Sequence, residues 1–222
     1  MTKTYTVDAK PYAFEFNTEN TALIIIDMQR DFLYEGGFGE ELGNDVSTTN
    51  KIIPTVQKVL GKAREEEMLV IHTREGHRPD LSDLVESKKR GGNIGKEGPM
   101  GRILVRGEYG HDIVDELTPV EGEVILDKPG KGAFYQTDLN LILKSNGIKN
   151  LIVMGVTTHV CVQSTIREAN DRGYECLMIE DGCAAFDPAD HEDSIRMINQ
   201  QGAIFGWTTP SKELFDALEE GK

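Results

Sequence analysis

Three residues able to do chemistry stand just beyond three apolar runs. Cys161 closes "GVTTHVC", which follows from "NLIVMGV" and leads into the amphipathic "VQSTIREANDRG". Asp27 follows the apolar residues of "TALIIIDMQ" (Thr21–Gln29), and Lys128 follows "EVILD" (Glu123–Asp127). A cysteine in the first turn of a helix meets N–H groups with no intrahelical partner and the positive end of the helix dipole. Both favour thiolate, and the same N–H groups can hold a developing oxyanion. The alternative is a small buried residue packing helix on sheet. Asp27 is open to two readings, a helix or turn cap and a proton carrier at sulfur; a buried, unpaired carboxylate would be costly. Lys128 is either a solvated turn lysine before Pro129 and Gly130 or the cation that holds Asp27 ionised.

Those three positions require strands that end together. "TALIIIDMQ" reads as a buried parallel strand, and "MLVIHT" (Met68–Thr73) as a second. Between them, Ile52, Ile53, Val56, Val59, Leu60 and Ala63 recur at helical spacing, with Pro54 tolerable in the first turn. From residue 123 strands alternate with helices: "EVILDK", then "QTDLNLILKSNG"; "NLIVMGV", then "HVCVQSTIREANDRG"; "YECLMIED", then "PADHEDSIRMINQQG"; "AIFGW", then "PSKELFDALEE". This alternation predicts an α/β fold, a three-layer sandwich around a roughly six-stranded parallel sheet. Residues 1–222 read as one domain, with 1–20 a polar, irregular arm and 75–110 a long loop region holding a short strand at "RILVR". In such sheets ligands bind beyond the carboxyl ends of the strands. The candidate positions are therefore Asp27, His72 to His77, Asp127 and Lys128, Val156 to Cys161, and Asp181 to Phe186.

Composition narrows the partners. The formal net charge is −14, and the one basic cluster, "SKKRGG", is short, which argues against nucleic acid. No apolar run reaches the ~18 residues of a membrane span. No secretory leader is evident and the three cysteines lack CxxC spacing, so the expectation is a cytoplasmic protein with reduced thiols.

"IIIDMQRDFL", "DKPGKGAF" and "GVTTHVCVQSTIREANDRGYEC", in that order, resemble the isochorismatase-like cysteine hydrolases, from about Thr21 to the last helix. "HTREGHRPDLSDL", "GPMGRILVRGEYG" and "EANDRGYEC" resemble the biuret hydrolase branch, near N-carbamoylsarcosine amidohydrolase. The resemblance implies a triad of Cys161 as nucleophile, Asp27 as general base and acid, and Lys128 as electrostatic partner. It also implies a cis peptide at Val156–Thr157 that aims the N–H groups of Thr157 and Cys161 at an oxyanion, and substrate contacts from Phe32 and Gln201. The activity implied is hydrolysis of a small linear amide or ureido compound, biuret foremost, with nicotinamide or an N-carbamoyl compound as alternatives. A degenerate oligomeric binding protein is the non-enzyme alternative, and the intact Asp27, Lys128 and Cys161 argue against it.

Nicotinamidases in the family hold a metal through Asp-x-His. Here the comparable residues are Glu75 and His77, read as wall or structural groups, so neither metal nor cofactor is expected. His72 reads as a satisfied core histidine. His159 stays outside the triad, because helical positions two apart face different ways. Family members are often homotetramers, which is the expectation here.

Overall fold

The computed structural model describes residues 4–220. The strands are β1 (Tyr5–Val7), β2 (Phe14–Phe16), β3 (Thr21–Ile26), β4 (Leu69–Glu75), β5 (Glu97–Gly98), β6 (Gly101–Arg102), β7 (Val124–Lys128), β8 (Asn150–Val156), β9 (Glu175–Ala184) and β10 (Trp207–Thr209). The α-helices are α1 (Arg30–Leu33), α2 (Phe38–Glu41), α3 (Ser47–Asn50), α4 (Ile53–Glu65), α5 (Glu86–Lys89), α6 (Leu139–Ser145), α7 (Gln163–Asp171), α8 (Pro188–Ala203) and α9 (Ser211–Glu220). A π-helical turn, Thr158–Val162, leads into α7.

The central sheet has six parallel strands in the order β10-β9-β8-β3-β4-β7. Unbroken apolar runs need cover on both faces, and β3 and β8, side by side in the middle, are buried at every position. The chain winds from β3 outward to β4 and β7, then returns to β8 on the other side of β3 and winds outward to β9 and β10. Right-handed crossovers in opposite directions put α4 on one face and α7 and α8 on the other. α9 returns to pack with α4. The expected three layers are present, and the reversal between β3 and β8 is the switch point where a crevice opens.

Local chemistry accounts for the helices. Ile53, Val56, Val59, Leu60 and Ala63 form the buried stripe of α4, and Pro54 sits in its first turn, where no N–H is missed. Asp187 caps α8 by accepting the Ala189 N–H at 2.8 Å.

Three expectations are corrected. The arm is not irregular: β1 and β2 form an antiparallel pair whose Tyr5, Val7, Phe14 and Phe16 are buried and whose Thr6 and Glu15 face out. Three-residue strands are too short for alternation to stand out in the sequence. The last strand is Trp207–Thr209, not Ala203–Trp207. α8 kinks at Gln200–Gly202, and residues through Gly206 are consumed in the turn back to β9. In the 75–110 region, β4 runs on to Glu75, and α5 and the two-residue pair β5–β6 follow, with "RILVR" contributing only its first residue.

Two buried contacts, one in the middle of the sheet and one between α1 and the loop after β6, are open to test. Gly155 has φ +122°, and a Cβ there would lie 2.1 Å from the Ile26 carbonyl oxygen. Gly155→Ala is therefore expected to cost about 3 kcal/mol or more, or to abolish folding, read by urea unfolding and soluble yield. Asp31 is buried in α1, and its Oδ2 accepts the Leu104 N–H at 2.9 Å. Burial outweighs the backbone hydrogen bonds and raises its carboxyl from 3.8 to about 6. A raised carboxyl binds its proton more tightly in the folded chain, so its contribution to stability falls as pH rises from about 4 to 6. Asp31→Asn, which never charges, should gain melting temperature relative to wild type between pH 4 and pH 8; a constant difference would refute this.

Candidate active site

Four neighbouring strands end at one place. In the order β8-β3-β4-β7, the residues at or beyond their carboxyl ends include Cys161, Asp27, Glu75 and Lys128. Asp27, Glu75 and Lys128 are fully buried and Cys161 is 3% exposed. The ligating atoms of Asp27, Glu75 and Cys161 all lie within 4.8 Å of one another.

β4 is the hub. Glu75 and Lys128 are register partners on β4 and β7, so their side chains start side by side. β7 lies two strands from β3, roughly 10 Å at ordinary strand spacing. The long Lys128 side chain spans that gap, and its Nζ meets Asp27 Oδ2 at 2.7 Å. It also donates to the Gly130 carbonyl at 2.9 Å and lies 3.8 Å from Glu75 Oε2. The other Asp27 oxygen accepts the Thr73 hydroxyl at 2.6 Å. Thr73 and Glu75 serve the same site because positions two apart on a strand share a face. Gln29 fixes the Glu75 backbone, accepting its N–H at 2.7 Å and donating to its carbonyl at 3.0 Å.

Glu75 has three ammonium neighbours. Its Oε1 receives Lys88 at 3.1 Å and Lys131 at 2.8 Å, while its Oε2 lies 3.5 Å from Cys161 Sγ. Burial pushes the Glu75 carboxyl up, but Lys128, Lys131 and Lys88 outweigh it and hold the group at about 2. Burial pulls the Lys128 ammonium down, and Asp27, Cys161 and Glu75 carry it above its usual range. The Cys161 thiol is pushed well up, first by burial and then by Asp27 and Glu75 against the pull of Lys128. The environment of the resting sulfur thus favours the thiol. Yet Lys88, Lys128 and Lys131 facing Asp27 and Glu75 leave one positive charge, which thiolate would neutralise.

Cys161 lies in the π-helical turn, before α7 rather than in its first α-helical turn. The Val156–Thr157 peptide is cis, as the resemblance implies. His159 and Cys161 are two apart in that turn, yet His159 is not turned away from the site. Both line one cavity of about 360 Å³, together with Phe32, Phe38, Glu75, Lys131, Thr157 and Phe186. His159 remains apart from the triad, 3.7 Å from Asp190. Thr165 ties the site's loops together: its hydroxyl donates to the Cys161 carbonyl at 2.7 Å and accepts the Ala133 N–H at 3.0 Å.

Phe32 is buried at the cavity wall, edge-on to Phe38 at 5.7 Å. Gln201 is not brought to the cavity. It lies exposed in the kink at the far end of α8, about 20 Å along from the Asp187 end by helical rise, and Phe186, Asp187 and Asp190 line the cavity instead. Residues 76–110 do not wall the cavity; residues 38–44 do, while Lys88 reaches Glu75 from behind. Glu75 and His77 do not form a metal site. Lys88 spends its three N–H groups on Glu75 Oε1, His77 Nε2 at 3.3 Å and the Pro129 carbonyl at 2.6 Å. An ammonium thus occupies the place between them where a cation would bind. His72 is a core histidine, as expected, 2.9 Å from Glu123.

The isochorismatase domain family model matches residues 21–209. An isochorismatase family protein from Desulfovibrio vulgaris subsp. vulgaris str. Hildenborough is 30% identical, with a TM-score of 0.78 over 90% of this chain and 98% of that one. A cysteine hydrolase from Pseudomonas syringae pv. phaseolicola 1448A is 29% identical, with a TM-score of 0.81 over 93% and 96%. N-carbamoylsarcosine amidase from Thermoplasma acidophilum shares the fold at 24% identity, with a TM-score of 0.68 over 87% and 98%. Among the described residues no helix is long and apolar enough to cross a membrane.

Removing one member of a buried ion pair strands the other. Lys128→Met should destabilise the protein by about 3–5 kcal/mol in urea unfolding. Adding Asp27→Asn to that variant should recover part of the loss; a double variant no more stable than Lys128→Met would show that the pair is not the source.

Proposed function

The chain belongs to the isochorismatase domain family of hydrolases, and on that basis we propose a cysteine-dependent amidohydrolase that cleaves a C–N bond of a small linear amide or ureido compound, biuret foremost. The observation that carries this reading is a buried thiol at a cavity wall, backed by the Asp27–Lys128 ion pair. Asp27 takes the thiol proton as sulfur forms its bond to the substrate carbonyl carbon. Lys128 stabilises the thiolate as it forms. The oxyanion is met by the N–H groups of Thr157 and Cys161. The tetrahedral adduct collapses, the C–N bond breaks, and Asp27 returns its proton to the leaving nitrogen, releasing ammonia. Asp27 then removes a proton from water as its oxygen bonds to the thioester carbonyl carbon, the C–S bond breaks, the acid product leaves, and Asp27 returns the proton to sulfur. For biuret this yields one ammonia and one N-carboxyurea per water consumed. Lys128, fully buried, acts on charge and not as a proton donor to bulk water.

A carboxamide on an aromatic ring, such as nicotinamide, is a second reading, favoured by the rings of Phe32, Phe38 and Phe186 in the cavity wall. Ammonia release from biuret, triuret, nicotinamide and N-carbamoylsarcosine separates the two. Cys161→Ala should lower the release by about 10³-fold or more, and quenched wild type should carry an acyl group on Cys161 by intact mass. Undiminished release from Cys161→Ala would sink the thioester route.

A further inference from the structure

The triad leaves one buried group of the site without a task. Of the two carboxylates near the sulfur, Glu75 lines the cavity and Asp27 does not. The two oxygens of Glu75 are also unequal. Oε1 is filled by Lys88 and Lys131, whereas Oε2 has only the Cys161 thiol at 3.5 Å and Lys128 at 3.8 Å. A carboxylate oxygen has room for more than such distant neighbours provide. Oε2 is therefore an aimed acceptor at the edge of the reaction centre, with open capacity next to the nucleophile.

Resting on the amidohydrolase reading above, we infer that Glu75 is a substrate-binding residue: Oε2 accepts an N–H of the amide or ureido group whose carbonyl Cys161 attacks, and so selects compounds that carry an N–H there. Lys88 and Lys131 are positioning residues, holding Oε1 so that Oε2 faces the sulfur. The three lysines keep Glu75 ionised at any working pH, which suits a fixed acceptor and leaves proton transfer to Asp27. A primary amide or a urea offers donors to such an oxygen. An N,N-dialkyl amide or an ester sets methyl groups or lone pairs against a negative charge and loses the hydrogen bond. The substrate class is thereby narrowed from amides in general to those with unsubstituted or singly substituted nitrogen.

The test compares alkylation of Cys161 by 2-chloroacetamide and by N,N-dimethyl-2-chloroacetamide, each rate divided by that of a small free thiol and assigned to Cys161 by peptide mass. Wild type should favour the primary amide by about 10- to 100-fold, the worth of one hydrogen bond to a charged group. Glu75→Gln should bring the ratio to within a few-fold of unity, whatever happens to the absolute rates, because loss of the nearby anion also eases thiolate formation. Lys88→Met should lower the ratio with Glu75 still present. If Glu75→Gln does not fold, Glu75→Asp withdraws the oxygen by one methylene and should lower the ratio as well. A ratio near unity in wild type, or one unchanged in the variants, overturns the inference. Alkylation needs no turnover. A protein that releases no ammonia from any amide therefore refutes the hydrolase reading separately, and release with an unchanged ratio refutes the role of Glu75 alone.

Discussion

Everything at the carboxyl edge of the sheet depends on the buried contact between Lys128 and Asp27. Two full charges without solvent are tolerated only when paired and hydrogen-bonded. Here each has further partners: Gly130 for the ammonium, Thr73 for the carboxylate. The contact bridges β7 and β3 across β4, so it constrains three strands at once. If β4 slipped by one residue, Glu75 would leave the side of Lys128 and Thr73 would leave Asp27. The charges therefore act on register as well as on chemistry. Whether they add net stability is a separate matter, since well-packed apolar residues often do as well.

The same constraint explains why the sulfur is not a ready thiolate. Burial and two carboxylates oppose ionisation, and Lys128 and Lys131 favour it. The balance favours the thiol beside a site whose charge is completed when it ionises.

Much of this was legible in the chain itself. Asp27, Lys128 and Cys161 stand out because each follows an apolar run, and parallel strands bring such ends together. Glu75 was legible as a strand-end position but not as a participant. "HTREGH" reads equally well as wall, metal ligand or structural support, and only the register with Lys128 and the reach of Lys88 decide. Lys88 itself lies in a charged stretch that resembles a solvated loop. Gln201 rests on resemblance alone, and the length of α8 keeps it away from the cavity, which the other end of that helix reaches. The β1–β2 pair is too short for its alternation to stand out in the sequence, and the position of β10 depends on a turn whose extent no periodicity encodes.

The π-helical turn at Thr158–Val162 has a consequence for how this site can change over time. A π turn holds more residues than an α turn, so it sets the angular phase of everything after it. Ile166 and Ala169 face the sheet in that phase. Deleting one residue from the turn would rotate α7 by about 100° and carry its apolar stripe off the core. Side chains around the nucleophile can be exchanged one for another, but the length of the turn cannot drift. Divergence of specificity at this wall is confined to substitution, and insertions and deletions are diverted to loops such as 42–46, where no downstream helix inherits the error.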